Sequence, residues 1–81
     1  MTNRQIIKFA KRLLRAKGDA RRTELMNTLA DPGDYAAAFV AYTALNGDGK
    51  CELVCSDPAV IARANEMARF LGSTYEAQSF H

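Results

Sequence analysis

Along residues 4–17, "RQIIKFAKRLLRAK", the apolar positions Ile6, Ile7, Ala10, Leu13 and Leu14 recur at helical intervals. Thr2 and Gln5 stand ahead of this run at capping-box spacing, and Gly18 follows its last turn, so the pattern predicts a helix bounded at both ends. The next segment, "TELMNTLA", predicts a shorter helix with Thr23 as its N-cap and Leu25, Met26 and Leu29 along its buried edge. "DPGD" reads as a turn. Beyond it, Asp31 or Asp34 is placed to cap a third helix over residues 35–46, in which Tyr35, Ala38, Phe39, Tyr42 and Leu45 keep the 3.6-residue period and Gly47 supplies the stop. The many alanines of this segment suit close helix packing.

"NGDG" is a turn signal, and the following "KCELVC", residues 50–55, alternates as a strand does, with Cys51, Leu53 and Cys55 on one side. Asp57 followed by Pro58 is a helix start, because proline at the first helical position loses no needed hydrogen bond. Val60, Ile61, Ala64, Met67, Ala68 and Leu71 then define the inner face of a helix over 58–71, ending at Gly72. The tail, 73–81, reads as a second strand paired with the first or as a loose end. No repeat or low-complexity linker interrupts the chain. The expectation is one domain over 1–81, comprising a basic helix (4–17), a helix-turn-helix-like unit (23–46), a strand (50–55), a helix (58–71) and the tail (73–81). Its class is mainly α with a small β component: four helices plus a short strand or hairpin.

Composition narrows the class further. With 48% hydrophobic and 25% charged residues the chain matches ordinary globular domains, not disordered or fibrous ones. A domain this short buries only about 60% of the surface its unfolded chain exposes, so the core is modest and a homodimer would add to it. No apolar run approaches the roughly 20 residues of a membrane span. The first residues are polar and then basic-amphipathic, unlike a secretory signal, which makes the cytoplasm the expected compartment. On a strand, Cys51 and Cys55 lie about 13 Å apart, beyond disulfide reach. A C-x3-C pair without a second Cys or His pair is a poor metal site, and His81 is the only histidine, so both thiols are expected as buried structural groups. A calcium loop centred on "NGDG" would take Ala44 as its first ligand and Cys55 as its twelfth, neither suited to the role. "GDGK" lacks the spacing of a phosphate-binding loop. No Ser, Cys or Asp stands at a legible spacing from a base. The sequence therefore points to no enzyme, no metal and no cofactor.

The order of elements in residues 22–54, "RRTELMNTLADPGDYAAAFVAYTALNGDGKCELV", resembles a winged helix-turn-helix domain: positioning helix, turn, recognition helix, glycine and wing strand. Such domains are typically transcription regulators, and the resemblance implies that the helix over 35–46 enters the major groove and reads bases. The residues depart from that pattern. Between Thr23 and Gly49 there is no Lys or Arg, while Glu24, Asp31, Asp34 and Asp48 are acidic. Base readout uses Arg, Lys, Asn and Gln near the start of the recognition helix, and phosphate contact needs cations. "DYAAAF" provides neither, so the third helix is expected to pack in the core or to meet a protein, with Tyr35, Phe39 and Tyr42 as its contact residues.

Cations cluster elsewhere. Residues 1–22 carry eight basic side chains (Arg4, Lys8, Lys11, Arg12, Arg15, Lys17, Arg21 and Arg22) against Asp19, a net +7, and the remaining 59 residues carry a net −5. Arg4, Lys8, Lys11 and Arg15 follow one another at spacings of four, three and four, forming a stripe with Arg12 beside it. Five cations on one helix, with no Glu at the i+4 positions that would relieve their repulsion, are more than solvation alone requires. The first expectation is a nucleic-acid-associated regulator or accessory factor that grips phosphates non-specifically through these residues. The alternative is a protein-interaction module, of the kind of a phage-type inhibitor or adaptor, whose basic helix contacts an acidic or nucleic-acid-handling protein.

Overall fold

A computed structural model of the protein describes residues 1–46 and 56–72. Four helices make up the described residues: α1 (Asn3–Arg15), α2 (Asp19–Met26), α3 (Pro32–Leu45) and α4 (Pro58–Phe70). Helix accounts for 76% and no strand is present among the described residues. This corrects the expected fold class: what is seen is all-helical, and the small β component is not found. The physical reason is that the core formed by the described residues is built from helix faces alone, with α3 packed against both α1 and α4. The strand assigned to 50–55, the tail 73–81, Cys51, Cys55 and His81 lie outside the described residues.

α1 starts where its cap dictates. The Gln5 amide donates to the Thr2 hydroxyl (3.2 Å), and the Thr2 amide donates to Oε1 of Gln5 (2.8 Å), so two otherwise orphaned donors satisfy each other's residues. The helix buries Ile6, Phe9, Ala10 and Leu13. It ends at Arg15 with an extended Ala16, one turn short of Gly18. Gly18, at φ +88°, serves instead as the N-cap of α2. A side chain there would be strained, since that backbone region is open almost only to glycine.

α2 begins four residues before the expected Thr23 cap. It takes in Ala20, Arg21 and Arg22, with Asp19 in its first turn at the positive end of the dipole and Arg22 bonded back to the carbonyls of Leu13 and Ala16; Arg22 Nη1 also meets Asp19 at 2.7 Å and Arg21 Nη1 meets Glu24 at 2.9 Å. Its buried residues are Leu25 and Met26.

α3 and α4 both start on an aspartate followed by proline. The Gly33 amide donates to Asp31 (3.2 Å) and the Ala59 amide to Asp57 (2.9 Å), and Pro32 and Pro58 occupy first-turn positions whose N–H would be unpaired anyway. α4 buries Val60, Ala64, Met67 and Ala68, with Ile61 and Leu71 packed beside them, as its periodicity predicts.

α3 is the central helix, packed against both α1 and α4. The 3.6-residue period left open whether Tyr35, Ala38, Phe39, Tyr42 and Leu45 face the core or a partner, and packing decides it. The buried side chains are Ala36, Ala37, Ala38, Val40, Ala41 and Thr43, whereas Tyr35, Phe39 and Leu45 are 41%, 37% and 39% exposed. Small residues let helix axes approach the close end of the roughly 8–10 Å packing range, and packing against two helices at once calls for small residues over a wide arc of α3. The aromatic side chains are left the remaining sector. Thr43 is the one buried polar residue among those described, and its hydroxyl donates to the Phe39 carbonyl one turn back (2.9 Å).

A polar clasp closes one end of the bundle. Arg63 donates to Oδ1 of Asn3 (2.6 Å) and to the Met1 carbonyl (3.3 Å), and its stem lies against Gly33, where an added Cβ would sit 3.4 Å from Cγ of Arg63. The Met1 amine pairs with Asp34 at 3.3 Å.

Candidate functional site

Two surface features stand out: the outer face of α1, and a cleft between α2 and α3.

At 100° per residue, Arg4, Lys8, Lys11 and Arg15 fall within about 60° of arc, with Arg12 at its edge, opposite the arc that carries Ile6, Phe9 and Leu13. All five are exposed, as is Lys17 in the turn beyond. From Arg4 to Arg15 the face runs about 16 Å. Among the described residues none of Arg4, Lys8, Lys11, Arg12, Arg15 or Lys17 has an acidic partner within 4 Å. The face is not arranged for the stability of its own helix either. Arg12 and Arg15 complement the negative C-terminal end of the dipole, but Arg4 lies near the positive end, whose first turn contains no acid.

The other two members of the expected patch behave differently. Arg21 is exposed but ion-paired with Glu24. Arg22 is turned inward: Nε donates to the Leu13 carbonyl (3.3 Å), Nη2 to the Ala16 carbonyl (3.3 Å), and the guanidinium carbon sits 5.9 Å from the centre of the Tyr42 ring. It thus satisfies the last carbonyls of α1, pins α2 to α1 and covers an aromatic of α3. The structure therefore puts four cations on one arc of α1, with Arg12 flanking it and Lys17 just beyond the helix end, and has Arg22 holding three helices together.

The cleft has a volume of about 240 Å³ and is walled by Leu13, Arg22, Met26, Tyr35, Phe39 and Tyr42, with Asp19 and Thr23 supplying polar lining. Tyr35, Phe39 and Tyr42 share one edge of α3 at spacings of four and three, and this edge is the sector that α1 and α4 leave uncovered. Its size is below the roughly 300–1,000 Å³ of sites for drug-sized molecules, so it accommodates a side chain or a single planar ring system. The sequence spacing already grouped the three aromatics on one edge of the helix. Leu13, Met26 and Arg22 as their neighbours were not, because they meet only through tertiary packing; Asp19 three residues before Arg22 was the one local signal that α2 starts early.

The base-reading position implied by the winged helix-turn-helix resemblance falls on α3, whose exposed side chains near its start include Tyr35 and Phe39 and no cation. Among the described residues no group of three His, Cys, Asp or Glu side chains is placed to hold a metal ion, and no helix is long and apolar enough to cross a membrane. Compared with protein-family models, curated proteins and solved structures, the chain matches none.

Proposed function

We propose that the protein is a small non-enzymatic binding protein, a nucleic-acid-associated regulator or accessory factor, that grips phosphate backbones through the outer face of α1. The observation that carries this reading is the set of six exposed cations on and just beyond α1 without acidic partners among the described residues; Arg21, Arg22 and Arg63 are each ion-paired, and Arg69 of α4 is the one further described Arg or Lys without an acidic partner within 4 Å. A protein that needed these charges only for solubility would gain from pairing some of them. Along a B-form duplex, phosphates of one strand recur every ~3.4 Å of axis, so a 16 Å face spans about five of them, close to the number of cations it carries.

The test is a salt titration with an arbitrary duplex and an arbitrary single strand. Engagement of four or five phosphates releases their counterions, and affinity is expected to fall about 50- to 500-fold between 50 and 200 mM salt. The triple substitution Lys8→Glu, Lys11→Glu, Arg15→Glu is expected to abolish binding. These side chains are exposed, so the variant's circular dichroism is expected to match that of the unaltered protein. No binding to either polyanion at 50 mM salt would refute the proposal.

A second reading is favoured by the aromatic edge of α3, which suits a protein partner: an interaction module that binds an acidic protein. It predicts capture of that protein from lysate after nuclease treatment, and nuclease-sensitive capture argues against it.

A further inference from the structure

We infer that the polyanion held by the outer face of α1 is double-stranded, the face preferring a duplex to a single strand. This rests on the phosphate-binding reading above and names its substrate class. Of the six exposed residues of α1, five are cations and the sixth is Gln5. Oε1 of Gln5 already accepts the Thr2 amide (2.8 Å), so this side chain cannot present its carbonyl and amide together to a base, the pairing by which glutamine reads adenine. The one aromatic of α1, Phe9, is 7% exposed and packed in the core. Tyr35 and Phe39 are exposed, but the cleft they line meets α1 only at Leu13, half a turn around the helix from Arg4. Phe70 ends α4, which packs against α3. Charge is therefore what this face has to offer.

The helix holds Arg4, Lys8, Lys11 and Arg15 about 6, 4.5 and 6 Å apart along a straight axis. A duplex, stiff over about 500 Å, already presents its phosphates along a straight path. A single strand must be ordered onto the same row, which costs affinity. Proteins that hold single strands offset that cost by stacking bases on aromatic side chains, about 5- to 150-fold per base, and α1 exposes no ring for it. Charge density favours the duplex as well, with one charge per ~1.7 Å of axis against ~3.4 Å for one strand, so its counterion release is about 0.9 per phosphate against about 0.7. For four or five phosphates the difference is roughly 0.8 to 1.0 powers of the salt concentration. Referred to 1 M, this gives the duplex an advantage of about 10- to 20-fold at 50 mM and about 4- to 5-fold at 200 mM. A single stacked base would cancel it; with no ring on the stripe, the advantage stands.

The experiment uses the full chain and three labelled probes of equal phosphate number: a duplex of about 15 base pairs, oligo-dT of about 30 nucleotides, and an abasic strand of that length, each titrated by fluorescence anisotropy between about 50 and 200 mM salt. The duplex is expected to bind about 10- to 20-fold tighter than oligo-dT at the lower salt, the gap is expected to close to about 4- to 5-fold at the higher, and oligo-dT and the abasic strand are expected to bind alike. Lys11→Ala is expected to weaken duplex binding and to make its salt slope shallower by about 0.9. Lys11 is exposed and alanine favours helix, so the fold is expected to persist; Arg15→Ala provides an independent second variant. Oligo-dT binding as tightly as the duplex, or more tightly than the abasic strand, overturns the inference and leaves the phosphate grip standing. A duplex advantage that does not shrink with salt also overturns it, since contacts other than charge would then supply the preference. Binding of no probe at the lower salt overturns both.

Discussion

Replacing Arg22 by alanine separates holding the fold from holding a ligand. The side chain makes two hydrogen bonds to the α1 carbonyls of Leu13 and Ala16, each 3.3 Å, and covers the Tyr42 ring at 5.9 Å. A hydrogen bond from a charged donor contributes about 1.5–3 kcal/mol when well formed. These two are long and the side chain is 30% exposed, so about 0.7 kcal/mol each is the appropriate scale. The cation–π contact adds about 0.5–1 kcal/mol. The ion pair with Asp19, whose side chain is 99% exposed, is left out, since solvent screens it. The total is about 2 kcal/mol. For a domain of this size that corresponds to a fall in Tm on the order of 10 °C, and to about 2 M in the urea midpoint at a slope of ~1 kcal/mol per M. Urea unfolding followed by circular dichroism at 25 °C measures it. Arg22→Lys, which keeps the charge but cannot fork to two carbonyls, is expected to lose roughly half as much. An Arg22→Ala variant within about 0.5 kcal/mol of the unaltered protein, or a lysine variant indistinguishable from it, would show that the three-helix brace does not exist.

The Asp31→Ala and Asp57→Ala variants each remove the acceptor that caps a helix, and a loss of about 1 kcal/mol apiece is expected in the same urea assay. Ala37→Leu places three further carbons where the residue is 0% exposed in the central helix, and a loss of about 1–3 kcal/mol or more is expected from overpacking; a stable variant would contradict the close packing of α3. Gly18→Ala adds a Cβ that meets nothing within 4 Å, so its expected cost of about 1–3 kcal/mol is backbone strain at φ +88° alone, and a neutral result would mean the α1–α2 turn has a different conformation.

Much of the fold was readable locally. Thr2 with Gln5 and Asp57 with Pro58 are caps whose partners lie within three residues, so spacing alone predicts the bonds they make. α1 and α4 have one apolar face each, and their buried residues follow from periodicity. α3 differs because it is apolar all round: a helix without a polar side carries no signal for which residues point inward. Its period grouped Tyr35, Phe39 and Tyr42 on one edge without saying whether that edge meets the core or the surface. Contact with α1 and α4 together made the alanines the core, since only they let two helices approach, and pushed Tyr35 and Phe39 to the surface.

The basic face shows the same division. Charge and spacing placed Arg4, Lys8, Lys11, Arg12 and Arg15 on one side of α1, because a helix brings residues three and four apart together whatever surrounds it. Arg22 looked like one more member of the patch. Only the packing of α2 against the end of α1 decided otherwise, through carbonyls six and nine residues away in sequence. The sequence by itself thus determined the helix caps, the amphipathic faces of α1 and α4, and the separation of charge, all properties of neighbours along the chain. The tertiary structure decided which face of α3 is buried, where α2 begins and that an aromatic cleft opens beside the cationic helix, because those depend on which elements compete for the same space.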